Sequence, residues 1–115
     1  MSNATKPADY ADAVANFRLE DFEPLFAGSL KTGLNVCVEC CDRHVASGGI
    51  ALNWESATGQ RASFTFAEMQ ELSAKVANLL TEQGVKPGDV VAGMLPRTPE
   101  LLATILGTWR AGAVY

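Results

Sequence analysis

Val90-Val91-Ala92-Gly93-Met94-Leu95, then Thr98-Pro99-Glu100 running on to Arg110, then Gly112-Ala113-Val114-Tyr115: the reading of this stretch decides the fold. The first run is apolar throughout and of strand length, the pattern of a parallel strand covered on both faces. Thr98 stands at a helix N-cap, with Pro99 at the first helical position, where a missing N–H costs nothing. Leu102, Ile105, Leu106 and Trp109 then recur at helical spacing. Gly112 stops the helix, and Ala113-Val114-Tyr115 opens a second strand. Strand, crossover helix and second parallel strand make one βαβ unit. The second strand must itself pair and be covered. The chain therefore reads as the opening segment of a larger α/β protein, incomplete as it stands, with most chemistry expected in residues outside it.

Before this unit lies a helix with clear signals at both ends. Thr65 and Glu68 have capping-box spacing, and Phe64 and Met69 have the spacing of a hydrophobic staple. Phe66, Met69, Leu72, Val76, Leu79 and Leu80 form an apolar stripe. Gly84 is placed for a left-handed C-terminal residue, with Val85 able to reach Leu80 in a Schellman ending, and Pro87 prevents continuation. Covering residues 90–95 from either side is the role expected of the two helices. Upstream, Ile50, Leu52 and Trp54 alternate with Ala51, Asn53 and Glu55. Ala62, Phe64 and Phe66 alternate with Arg61, Ser63 and Thr65. With the turn cluster Ser56-Ala57-Thr58-Gly59-Gln60 between them, the two runs make a β-hairpin. Asn35 is an N-cap for a helix over 36–46 that Gly48-Gly49 ends. Residues 1–33 form a mobile or irregular lead-in: a weak helix near 9–18 carries Tyr10, Val14 and Phe17 on one side. An irregular stretch holding Phe22 and Phe26 follows. Residues 34–115 are the structured portion.

The chain has 115 residues, 48% of them apolar, and a net charge of −4. One domain is the expected count. The acidic balance speaks against a sequence-independent grip on nucleic acid or anionic lipid. No apolar run approaches a membrane span, and the first 15 residues lack a signal-peptide pattern. Cys37, Cys40 and Cys41 then read as reduced thiols of a cytoplasmic protein.

Cys37, Cys40, Cys41 and His44 are all zinc-ligand types. Steps of three, four and seven put them on one helical face, however, where side chains project too nearly parallel to surround an ion. Core packing is the reading preferred for the cysteines. Arg43 and His44 are placed to meet the last carbonyls of their helix, and a capping or packing role is preferred for His44 over that of a general base. Gly48-Gly49 lacks the context of a nucleotide loop, and Ser73 lacks an elbow motif. Arg97 follows the apolar strand, at the end where open α/β sheets place ligands. A solvated or carboxylate-paired arginine is the preferred reading there. No catalytic, cofactor-binding or metal-binding residue is assigned.

Several stretches, in order, carry a resemblance. Ser63-Phe64-Thr65-Phe66-Ala67-Glu68-Met69 is similar to a Thr-Tyr-x-Glu-Leu stretch. Ala77-Asn78-Leu79-Leu80 with Gly84-Val85-Lys86-Pro87-Gly88-Asp89-Val90-Val91 is similar to a helix-exit and strand-entry segment. Pro99-Glu100-Leu101-Leu102 through Trp109-Arg110-Ala111-Gly112-Ala113-Val114-Tyr115 is similar to a helix ending in Lys-Ala-Gly-Ala, with Trp109-Arg110 as a variant. Together, over residues 34–115, they resemble the N-terminal region of AMP-forming acyl-CoA synthetases, in the adenylate-forming superfamily with luciferases and peptide-synthetase adenylation domains. Leu34-Asn35-Val36 with Cys41-Asp42-Arg43-His44 resembles the acetyl-CoA synthetase branch. Met94-Leu95-Pro96-Arg97-Thr98-Pro99-Glu100 is similar to medium-chain members, which leaves the acid open.

The resemblance implies an ATP-dependent acid–thiol ligase for a full-length parent, using ATP, magnesium and coenzyme A. The family's phosphate loop, nucleotide contacts and catalytic lysine lie outside the matched segment, so this chain is expected to be inactive scaffold with no cofactor of its own. Its expected partner is the remainder of the parent, with self-association when alone. Two other readings stay open: a stand-alone interaction protein, and an adenylation domain that loads a carrier protein.

Overall fold

The structure is a computed structural model that describes residues 9–115. Its elements run α1 (Tyr10–Asn16), a 3-10 helix (Leu19–Leu25), α2 (Val36–Cys40), a second 3-10 helix (Asp42–Ser47), β1 (Ile50–Glu55), β2 (Arg61–Thr65), α3 (Phe66–Glu82) and α4 (Pro99–Arg110). The architecture is mixed helix and strand, as the sequence implies. β1 and β2 form the antiparallel hairpin, with Leu52 opposite Phe64 and Trp54 opposite Ala62.

Local signals act where they stand. The Asn35 carboxamide oxygen accepts from the amides of Cys37 and Val38 at the start of α2. Thr65 and Glu68 close the complete capping box on α3. Gly84, at φ 87°, ends α3 in a full Schellman motif. Val85 N–H donates to Leu80 C=O and Gly84 N–H to Thr81 C=O, each at 3.0 Å. That geometry satisfies carbonyls the helix would otherwise leave orphaned. Gly112 does the same for α4, through Ala113 to Thr108 and Gly112 to Trp109.

Four expectations are corrected. The helix over 36–46 breaks at Cys41 (φ −130°, ψ −67°), so α2 ends at Cys40 and a 3-10 turn follows. A register shift between Ile50 and Leu52 turns Ile50 outward and leaves Ala51 and Leu52 facing the core. Such a bulge puts an extra residue on one strand and reverses the alternation there. Residues 90–95 show a single parallel bridge, Val90 to Val114, in place of a full strand. The connection is nonetheless parallel and crosses through α4, as a βαβ unit requires. Lastly, α3 and α4 pack against each other instead of sandwiching that segment.

The α3–α4 seam uses smaller residues than the apolar periodicity implies. The buried positions are Met69, Ser73 and Ala77 on α3, and Ala103, Leu106, Gly107 and Thr108 on α4. Leu79 of the expected stripe is 56% exposed. A β-carbon on Gly107 would lie 2.6 Å from Val76 Cβ, so the backbones approach as closely as glycine permits. Met69, Leu106, Ala103, Cys37 and Cys41 form the core, flanked by Phe64, Phe66, Leu72, Leu102 and Trp109.

Carboxylates fasten the segment before α2. Glu39 accepts from the amides of Ala27 and Gly28, at 2.7–3.0 Å, and pairs with Arg43 at 2.8 Å. Glu23 accepts from the Ser29 hydroxyl and the Leu30 amide. The Ala27 and Gly28 amides, ahead of Arg43, hold the Glu39 carboxyl below its usual range. Ser29 and Leu30 do the same for Glu23, and Thr65 for Glu68. A carboxyl depressed in the folded state contributes stability above its unfolded pKa, about 4.3 for glutamate, and loses it as pH falls through the folded value. The urea midpoint is therefore expected to hold from pH 7 to about 5 and then decline. Glu39→Gln should flatten that decline. A midpoint that rises on acidification would refute the assignment.

Candidate functional site

A polar cluster joins α2, α3 and α4 beside the core. The Arg110 guanidinium forks onto the Asp42 carboxylate, Nη1 to Oδ2 at 2.9 Å and Nη2 to Oδ1. Nε and Nη2 also donate to Ser73 Oγ at 3.3 and 3.2 Å. Ser73 is fully buried and donates in turn to the Gln70 carbonyl at 2.9 Å. The Cys37 thiol points at the same hydroxyl from 3.9 Å. The second amide edge of Asn35 donates to the carbonyls of Trp109 and Arg110, the last of α4. One carboxamide thus satisfies the N-terminus of α2 and the C-terminus of α4 together.

The cluster is built to hold, not to react. The hydrogen bond to Asp42 raises the Arg110 pKa, so the guanidinium stays charged. No buried side-chain polar atom among the described residues lacks a partner. Ser73 has an arginine where a nucleophile needs a base. Burial pushes the Cys41 thiol up to about 11 and raises those of Cys37 and Cys40 as well. A thiol so shifted is largely protonated and inert at neutral pH.

The structure disperses the cysteine–histidine set. Cys37 and Cys41 enter the core, while Cys40 is exposed, contrary to core packing for all three. His44 takes the packing role, its ring lying against Phe66 with centroids 5.1 Å apart. Arg43 does meet a helix-terminal carbonyl, but that of Leu25, the end of the first 3-10 helix. Gly48, at φ 64°, closes the second 3-10 helix and belongs to no loop around a phosphate. Arg97 is exposed; its backbone carbonyl accepts from Trp54 Nε1 at 2.8 Å. Trp54 and Arg97 edge a shallow apolar groove with Leu52, Leu101, Leu102 and Ile105. Among the described residues no group of three or more His, Cys, Asp or Glu side chains is placed to hold a metal ion. Nor is any helix there long and apolar enough to cross a membrane.

The Asp42–Arg110 pair is the element that sequence reasoning missed. Its members are 68 residues apart, and neither stands in a motif that names the other. Arg110 stands at the end of an apolar helix and Asp42 in the polar run Asp42-Arg43-His44, and nothing in either local pattern points to the other.

Comparison with known proteins agrees with this geometry. The family model for AMP-binding enzymes matches residues 42–115. The acetyl-coenzyme A synthetase of Streptomyces avermitilis is 42% identical over 96 residues, 80% of this chain and 15% of that protein. A human protein, acyl-CoA synthetase short-chain family member 3, mitochondrial, is 36% identical over 86 residues, 71% of this chain and 12% of its own. The crystal structure of the Brucella canis acyl-CoA synthetase superposes with a TM-score of 0.85 at 49% identity, over 92% of this chain and 20% of that one. The chain thus spans about one-seventh of the S. avermitilis relative's length. Over that span both the sequence and the arrangement of helices and hairpin are shared, and the chain belongs to the AMP-binding enzyme family.

Proposed function

We propose that this chain is the N-terminal scaffold segment of an AMP-forming acyl-CoA ligase. The single observation that carries this reading is the superposition on an acyl-CoA synthetase, a TM-score of 0.85 over 92% of the chain but only 20% of that protein. A second observation supports it. The Cα radius of gyration is 17.2 Å, against about 13 Å for a compact domain of this length. Surfaces that an independent domain would fold inward stay open, and the remainder of a parent enzyme is the partner they fit.

In the parent reaction a carboxylate oxygen attacks the α-phosphorus of ATP and pyrophosphate leaves. The thiol sulfur of coenzyme A then attacks the acyl carbon and AMP leaves, the thiol proton passing to a base. Both steps need donors placed where negative charge grows. The resemblance puts the phosphate loop, nucleotide contacts and catalytic lysine outside the matched segment, so we route no step through this chain. Its contribution is mechanical: the Asn35 and Asp42–Arg110 contacts fix the end of α4, and hence the residues that follow it.

The S. avermitilis relative is an acetyl-coenzyme A synthetase and the human one a member of a short-chain acyl-CoA synthetase family. That supports coenzyme A as acceptor over a carrier protein, and a short-chain acid as substrate. A parent polypeptide carrying this segment is expected to release pyrophosphate from ATP with acetate or propionate, and to make the acyl-CoA when coenzyme A is added. Adenylate formation that proceeds only to a carrier-protein thioester would contradict it.

A further inference from the structure

We propose that residues 19–33 form a strap, latched to the helical core by Glu39 and Arg43, that opens and closes as a unit while α2, α3 and α4 stay folded. The Glu39 carboxylate accepts from the Ala27 amide at 2.9 and 3.0 Å and from the Gly28 amide at 2.7 Å. Arg43 Nη1 reaches the same carboxylate at 2.8 Å and donates to the Leu25 carbonyl. One ion pair thus grips a carbonyl and two amides of the strap. No other hydrogen bond or ion pair among the described residues joins residues 9–34 to residues 35–115.

Packing adds little to the latch. No residue from 9 to 34 is buried, and none belongs to the core or packs against it as a flanking apolar residue. The strap's remaining bonds are its own. Phe26 N–H donates to Glu23 C=O at 3.2 Å, and Ser29 and Gly33 exchange backbone bonds at 3.3 and 2.8 Å. Glu23 holds the Ser29 hydroxyl and the Leu30 amide at 2.6 and 3.0 Å. A segment of this length with no buried side chain does not offset the entropy of ordering its backbone, so these bonds persist only while the latch holds. Few buried contacts and one point of attachment are the marks of a unit that opens locally. The latch is independent of the ligase reading, because every contact in it lies between residues 25 and 43.

Amide hydrogen exchange of the 115-residue chain, resolved by residue, tests this. The amides of Phe26, Leu30 and Gly33 are hydrogen-bonded but do not touch Glu39. Glu39→Ala is expected to speed their exchange about tenfold, the effect of losing hydrogen bonds to a charged acceptor. In the unsubstituted chain, urea below the unfolding transition should speed exchange in α3 and α4 and barely change these amides. A local opening exposes little surface, and global unfolding much. Acceleration confined to Ala27 and Gly28 in Glu39→Ala would overturn the proposal, because the carboxylate would then be a local acceptor and no latch. Strap amides that follow the urea dependence of α3 and α4 would overturn it too, because the strap would then open only with the core.

Discussion

Asp42→Ala is expected to destabilise the chain by about 3 kcal/mol, the lower end of the range for breaking a buried ion pair. Its side chain is 17% exposed and that of Arg110 23%, so water reaches the pair little. Removing the carboxylate leaves the guanidinium with Ser73 alone, and an uncompensated charge is what makes such truncations costly. The double variant Asp42→Ala/Arg110→Met should recover most of the loss, since an apolar chain of similar reach fills the site without a charge. Arg110→Lys with Asp42 kept should also lose stability, because an ammonium cannot fork onto Asp42 while also reaching Ser73. Urea unfolding of the four proteins checks this. A loss below about 1 kcal/mol for Asp42→Ala would mean the pair behaves as a surface contact.

Gly107→Ala is expected to cost about 2 kcal/mol, although helix propensity alone makes alanine the better residue by about 1 kcal/mol. The added carbon would lie 2.6 Å from Val76 Cβ and 2.8 Å from the Ser73 carbonyl oxygen. Neither atom is the loose end of a flexible side chain, so α3 and α4 must move apart. Val76→Ala should not relieve the strain, because it keeps the β-carbon and the backbone oxygen in place. The shift would also draw Ser73 away from Arg110, so Gly107→Ala and Asp42→Ala should prove non-additive. A thermal midpoint raised by Gly107→Ala would show that propensity prevails and that the seam is looser than the structure has it.

What the sequence announces is what neighbours decide. Asn35, the Thr65–Glu68 box, the Gly84–Val85 ending and the 56–60 turn each act over a few residues, and each is where its local chemistry places it. The resemblance over residues 34–115 likewise led to the right family, as the match over 42–115 shows. Long-range choices are not legible in that way. Cys41 breaks its helix, and only the folded chain shows the adjoining Asp42 meeting an arginine 68 residues on. Gly107 lies outside the apolar periodicity of α4, and only the folded chain shows Val76 against it. Residues 90–95 have the composition of a covered strand, yet among the described residues they make a single bridge. Arg43 has the chemistry of a cap, but a cap needs a carbonyl within reach, and the one it meets belongs to another element.

The central claim is that this segment organises an adenylate-forming enzyme without performing its chemistry. Carboxylate-dependent exchange of labelled pyrophosphate into ATP tests that most directly, run on the 115-residue chain beside a parent polypeptide containing it. The account predicts exchange with acetate or propionate by the parent and none above background by the chain. Exchange catalysed by the chain alone would contradict it, and would require a phosphate site among residues assigned here to turns, caps and core.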